Sequence, residues 1–266
     1  MHKPRFFDEM DAESALLDRC AFSAHLAGER RPFQPDYVEP KWPRDRVVDI
    51  KHIRLDVTLD FKERRISGTA THRLAAILDG LTQLEFDGAE MEIAAVRAGA
   101  KDVAFDHSDE KLRVTPEKPL AAGEEIEVAI DYSARPRRGL YFVGPDDAYP
   151  NKPPEAWTQG EDEDSRYWFP CYDYPNNRTT SEVIATVPEK FTVISNGALI
   201  ATSANPTAKT RTFHWRHDVP HSAYLITLAA GEFTMIEERA GETPVTYYVH
   251  PGREDDARRA SSSRPG

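Results

Sequence analysis

Trp157-Thr158-Gln159-Gly160-Glu161 places an amide and a carboxylate two residues apart around a glycine, and the run Asp162 to Pro175, rich in acids and aromatics, follows at once. The chemistry this pair suits is recognition of an ammonium group. A peptide α-amine, with an ordinary pKa of ~7.7–8.0, is largely charged at neutral pH. Glu161 would serve as its counter-ion and Gln159 as a carbonyl acceptor, since neither carboxylate nor carbonyl oxygen repels a cation. The glycine lets backbone approach a ligand, and the aromatic block holds the lip of such a pocket rigid. The same residues also read as a solvated acidic loop with a turn glycine.

The rest of the chain offers little for catalysis. No histidine is followed directly by glutamate, so the His-Glu-x-x-His helix, which carries two zinc ligands and a general base, cannot be built. His214, His217 and His221 come nearest to a ligand set. Pro220 breaks a helix there, and a strand sends His214 and His217 to opposite faces, so they read as surface or turn histidines. Ser181 and Ser195 lack a nucleophile elbow or a paired base, and there is no glycine-rich phosphate loop. Arg135, Arg137 and Arg138, with Gly139 next, read as the start of a strand and not as an anion site. No catalytic residue and no metal ligand is assigned.

With 45 acidic against 34 basic residues the formal charge is -11. A phosphate-tracking surface needs the opposite balance, which argues against a general nucleic-acid binder, whereas cationic ligands such as free amino groups suit it. Cys20 and Cys171 are too few for a disulfide framework and too far apart for a thiolate metal motif. The start, Met1 to Glu9, has basic residues with no apolar stretch behind them, and no run approaches membrane-spanning length. The expectation is a cytoplasmic protein with reduced thiols and no membrane partner.

The elements that must position Gln159 and Glu161 are strands. Ile53, Leu55, Val57, Leu59 and Phe61 alternate with His52, Arg54, Asp56, Thr58 and Asp60, the period of a half-buried strand. The same period returns in Ile126 to Tyr132 and more loosely in Ile66 to Leu74. Shorter candidates are 84–86, 91–96, 111–114, 182–187, 191–194, 210–215, 224–228 and 245–249, with turn signals such as Asp79-Gly80, Asp87-Gly88, Ala122-Gly123 and Asn196-Gly197 between strands. Helix-period segments are nearly absent. The predicted fold class is all-β, antiparallel sheets forming a sandwich or curved saddle, preceded by a short partly helical or extended N-terminal extension with a helix over Asp11 to His25. Residues 133 to 181 break the strand rhythm and read as a long functional loop.

That segment also carries a resemblance. Thr158-Gln159-Gly160-Glu161, then Arg166, then Trp168-Phe169-Pro170-Cys171-Tyr172-Asp173 with Pro175, is similar to the Q-x-E and R-x-W-F-P-C-x-D-x-P pattern of the aminopeptidase N-type zinc peptidases, the gluzincin aminopeptidases. It extends upstream through Ile53 to Leu59 and Gly139-Leu140-Tyr141, and downstream through Phe191 to Gly197 and Tyr224-Leu225-Ile226, so that it covers residues 46 to 259. The resemblance implies a β-saddle that packs on a thermolysin-like catalytic domain, with Gln159 and Glu161 lining the pocket for the substrate's N-terminal residue. The family's Gly-x-Met-Glu-Asn strand and His-Glu-x-x-His helix do not occur in this chain. Zinc therefore belongs to the intact family enzyme and no cofactor to this chain. Its implied partners are peptide N-termini and the missing catalytic domain.

The expected organisation is an N-terminal extension over 1–44, the β-domain over 45–251, and over 252–266 the truncated start of the linker or helix to the catalytic domain. Glu254, Asp255 and Asp256 precede Arg258 and Arg259, the charge order of a helix N-terminus, but Ser261 to Gly266 supply no apolar stripe to continue it. A frameshift or premature stop is the expected cause. The chain alone is expected to bind the substrate α-amino group without hydrolysing the peptide. The alternative, from a different class, is an independent β-sandwich protein-interaction module, because fold alone does not fix function.

Overall fold

The computed structural model describes residues 43–262. The expected helix over Asp11 to His25, the rest of the extension before Pro43, and Cys20 lie outside them. The described chain begins with β1 (Val48–Asp60), β2 (Arg65–Ala76), β3 (Leu84–Asp87), β4 (Met91–Ala98), β5 (Lys101–Asp102) and β6 (Ala104–Ser108). It continues through β7 (Lys111–Thr115), β8 (Glu125–Ala134), β9 (Gly139–Val143), β10 (Glu155–Gln159), β11 (Thr179–Pro188) and β12 (Thr192–Ser195). Then come β13 (Ala198–Asn205), β14 (Thr210–His221), β15 (Leu228–Gly231), β16 (Thr234–Ala240), β17 (Thr243–Val249) and one helix, α1 (Glu254–Ser262).

An eight-stranded sheet in the order β13-β14-β11-β1-β2-β8-β4-β5 forms the frame. A four-stranded sheet, β12-β15-β10-β9, and a three-stranded one, β3-β7-β6, accompany it, with β16 and β17 as a separate hairpin. The protein is all-β, as the period-two patterns require. In β1, Ile53, Leu55, Val57 and Leu59 are at most 3% exposed while Arg54, Asp56, Thr58 and Asp60 face solvent. Those inward residues join Ile66, Leu74, Val128 and Ile130 of the neighbouring strands and Trp168 and Phe169 in one continuous core. One pair departs from the antiparallel rule: β1 and β11 run parallel, His52 opposite Thr180 through Thr58 opposite Thr186. Parallel neighbours need a long crossover, and the intervening strands β2 to β10 supply it.

Several sequence expectations need correction. Residues 133–181 are not one long loop, since β9 and β10 lie inside it and pair with each other. Residues 224–228 are not a strand; a 3-10 turn over Ala223–Leu225 leads into β15 instead. β13 went unseen because all eight of its residues are exposed, so no burial rhythm marks the sequence. The helix does not stop at Ala260 but runs on to Ser262, with Arg253 and Arg259 both bonded to Asp256.

Candidate functional site

β10 lies between β9 and β15, which fixes the direction of each of its side chains. Ala156 is 1% exposed, and Thr158 accepts a hydrogen bond at Oγ1 from the Leu228 amide at 2.9 Å. Trp157 and Gln159 therefore point the other way, as alternation along a strand demands. Trp157 stacks on Tyr141, its cross-strand partner, at 4.8 Å between ring centroids. Gln159 ends the strand opposite Gly139 and is exposed.

Gly160 does a different job from the one read in the sequence. It is buried, and a Cβ on it would stand 2.5 Å from the Tyr224 carbonyl oxygen and 3.0 Å from Ser165 Oγ. The absent side chain thus admits the protein's own backbone. The Asp164 amide then donates to the Gly160 carbonyl at 2.9 Å and closes a turn over residues 161–164. Gly139 clamps the turn from the other side: its φ is +72°, and a Cβ there would lie 2.0 Å from the Asp164 carbonyl oxygen. We expect Gly160→Ala to lower stability and to alter the backbone amide shifts of residues 159–164, because the nearest obstruction, at Tyr224, is backbone and cannot rotate away. Unchanged shifts in that turn would contradict the clamp.

The acidic run divides in two. Glu163 pairs with Arg166 at 2.8 Å and Asp164 with Arg138 at 3.9 Å. Glu161 and Asp162 are exposed, and among the described residues neither they nor the Gln159 side chain has a hydrogen-bond or ion-pair partner. An amide and an uncommitted carboxylate thus flank a glycine fixed by its own packing. Two concavities of the described surface are lined by other residues, one including Arg65, Glu92 and Ser133 and the other Glu63, Arg135 and Phe142. The basic cluster is spent on neighbours as well: Arg135 on Glu63, Arg137 on Glu90 and Arg138 on Asp164.

Behind the turn stands a rigid block. Trp168 and Phe169 are fully buried and meet edge to face at 4.5 Å. The Arg166 side chain and backbone amide both donate to Asp173 Oδ2, at 3.1 and 3.0 Å. Burial pushes the Asp173 carboxyl up to about 6 against the pull of Arg166. The Asp173 amide donates to Asp87 Oδ2 at 2.9 Å, and Asp87 Oδ1 accepts from Arg44 at 2.8 Å and from Lys111. Asp87, 0% exposed, was read in the sequence only as half of a turn signal. The Cys171 thiol is buried within this block and burial raises its pKa well above the ordinary value, which keeps it protonated and unreactive.

His72 anchors the block to β2 through its Nε2, 2.8 Å from the Pro170 carbonyl oxygen. Burial drives its pKa down to about 4. In the unfolded chain the ring binds its proton near pH ~6.5, so stability is complete above that value and is lost as pH falls from there through about 4. Between pH 7 and 5 the loss attributable to His72 is about 2 kcal/mol. Urea unfolding at both pH values checks this: His72→Gln, which keeps a donor to Pro170, should flatten the pH dependence by that amount. An unchanged slope would assign the acid sensitivity elsewhere.

The histidines 214, 217 and 221 do not converge. β14 turns His214 to Glu182, 2.9 Å away, while His217 and His221 lie together with ring centroids 4.9 Å apart, His221 beside Ser181. Ser181 does have a base at hand, contrary to the sequence reading, with its Oγ 2.9 Å from His221 Nε2. It is 2% exposed in mid-strand, so the contact ties β11 to β14 and no substrate reaches it. Among the described residues no three His, Cys, Asp or Glu side chains converge on a metal-sized site, so these residues do not fit a zinc ion. No helix among them is long and apolar enough to cross a membrane.

Comparison with known proteins then adds a context. Residues 49–225 match the family described as the Peptidase M1 N-terminal domain. Leucine aminopeptidase 2 of Candida glabrata is 25% identical over 249 residues, covering 91% of this chain and 37% of that protein. Transcription initiation factor TFIID subunit 2 of Drosophila melanogaster is 29% identical over 149 residues, 53% of this chain and 12% of that one. Among solved structures, an M1 zinc metallopeptidase from Deinococcus radiodurans bound to a Tyr-Ser-Ala substrate superposes with a TM-score of 0.64 at 22% identity, covering 76% of this chain and 47% of that one. The likeness to that structure is one of fold. The chain spans only about a third of the length of the aminopeptidases it matches.

Proposed function

Because the chain belongs to the Peptidase M1 N-terminal domain family, we propose that it presents Gln159 and Glu161 to the α-amino group of a peptide, beside a separate catalytic domain that carries the zinc. The observation that carries this reading is the divided acidic run. Glu163 and Asp164 are held by arginines, whereas Glu161 is exposed without a cation among the described residues, two positions from an equally uncommitted Gln159. On this reading residues 45–251 form the substrate-binding domain, 1–44 an extension before it and 252–266 the approach to the catalytic domain. Removal of N-terminal residues belongs to the assembled enzyme, and this chain by itself binds without hydrolysing. Two cysteines in 266 residues, one of them the buried Cys171, support a reducing, cytoplasmic setting.

A second reading has one observation in its favour. The match to a transcription initiation factor subunit, a protein not named as a peptidase, supports the use of this domain as an interaction module. Titration of isotope-labelled chain with a tripeptide, free or acetylated at its N-terminus, separates the two. Solvent-exposed ion pairs contribute only ~0–1 kcal/mol, so binding should be weak. The free peptide should nevertheless shift the amides of residues 159–162, and Glu161→Gln should abolish its advantage over the acetylated one. Equal responses to both peptides would favour the interaction module.

A further inference from the structure

We propose that the concavity beside β9 binds, at Arg64, the C-terminal carboxylate of a short peptide whose amine stands at Glu161. The inference rests on the amine-site reading above and adds a second anchor to it. The concavity measures about 420 Å³ and is lined by Arg64, Arg135 and Arg137, by the acid Glu63 and by the rings of Tyr141 and Phe142. In a chain of net charge -11 this is a local reversal of sign. Two of the arginines are engaged, Arg135 with Glu63 at 3.0 Å and Arg137 with Glu90. The Arg64 side chain has no ion-pair or hydrogen-bond partner among the described residues. Asp60 fixes the turn that carries it, its Oδ1 accepting the Lys62 and Glu63 amides at 2.9 and 3.0 Å. Arg64 itself sits at φ +49°, where glycine or asparagine costs least, so the turn does not call for an arginine.

Position selects the ligand. Tyr141 on the rim of the concavity stacks on Trp157, and Gln159 follows Trp157 on the same face of β10. Gln159 pairs with Gly139, so Tyr141 is its diagonal neighbour across the two strands, ~7–8 Å away. Three extended residues span at most ~10–11 Å. A tripeptide with its ammonium group at Glu161 thus crosses the Trp157–Tyr141 stack and brings its carboxylate to the concavity. There the planar fork of guanidinium donors matches the two carboxylate oxygens, which a lysine would not do. Each end of the peptide meets the charge it lacks, Glu161 at one and Arg64 at the other.

Titration of the isotope-labelled full chain with trialanine, its C-terminal amide and its N-acetyl form tests the two ends separately. The free acid should bind about threefold more tightly than the amide, the scale of one solvent-exposed ion pair, and should move the Arg64 Nε–H signal. Arg64→Gln should remove that difference while keeping the preference for a free over an acetylated N-terminus. Equal binding of acid and amide overturns the proposal, and so does an Arg64→Gln chain that still tells them apart. Inorganic phosphate that moves the Arg64 signal while acid and amide bind alike overturns it too, since the concavity would then serve an unlinked anion. A parent chain that separates acid from amide but not free from acetylated peptide upholds the carboxylate site and contradicts the Glu161 reading alone.

Discussion

Replacing Asp87 by alanine is expected to lower the unfolding free energy by about 3 kcal/mol, the low end of what breaking a buried ion pair costs. The carboxylate is fully buried and receives Arg44, Lys111 and the Asp173 amide. Removing it leaves Lys111 and the Asp173 amide without their acceptor, and Arg44 with Glu85 alone, whose carboxylate lies 3.1 Å away. Arg44 and Lys111 keep 21% and 22% of their side-chain surface exposed, so water recovers part of the loss and holds the effect at the low end. Asp87→Asn should fall between, because an amide oxygen can still accept from the Asp173 N–H while the charge is gone. Urea unfolding of the three proteins measures the series. A loss of under ~0.5 kcal/mol in Asp87→Ala, the scale of an ordinary surface substitution, would show that Glu85 beside Arg44 and water around Lys111 replace the buried carboxylate.

This network shows where reading the sequence stops. The strand β1 was legible because its burial has a strict period of two, whereas Gln159 and Glu161 stood out only as candidates, two chemically apt side chains close together in sequence. Asp87 had no such signal, since the amide it accepts from is 86 residues away and the cations come from two other segments. Local pattern carries no information about partners that only tertiary structure brings together. β13 was illegible for the opposite reason, as a strand exposed on both faces has no rhythm to detect. Gly160 was legible as special but not in its purpose: the close approach it allows is to Tyr224 of its own chain. The family pattern around Trp168 identified the segment, and only the coordinates divide its acids into those already paired and those left available.

Glu161 is then the residue on which the functional reading turns. Alone on an open surface its attraction for an ammonium group is weak, because water screens both charges. Packed against a catalytic domain, the same carboxylate would meet the substrate amine out of water, where losing one partner of a hydrogen-bonded charge pair costs about 2–5 kcal/mol. The decisive measurement is kcat/KM for a dipeptide reporter with a free N-terminus, taken on a chimera in which residues 45–251 replace the matching domain of a related zinc aminopeptidase. Glu161→Gln should reduce kcat/KM about 30-fold or more, since each 1.4 kcal/mol is about tenfold, while Asp162→Asn, one residue along the same turn, leaves it near the parent value. Equal rates for the parent chimera and Glu161→Gln would contradict the assignment of Glu161 as the counter-ion of the substrate amine.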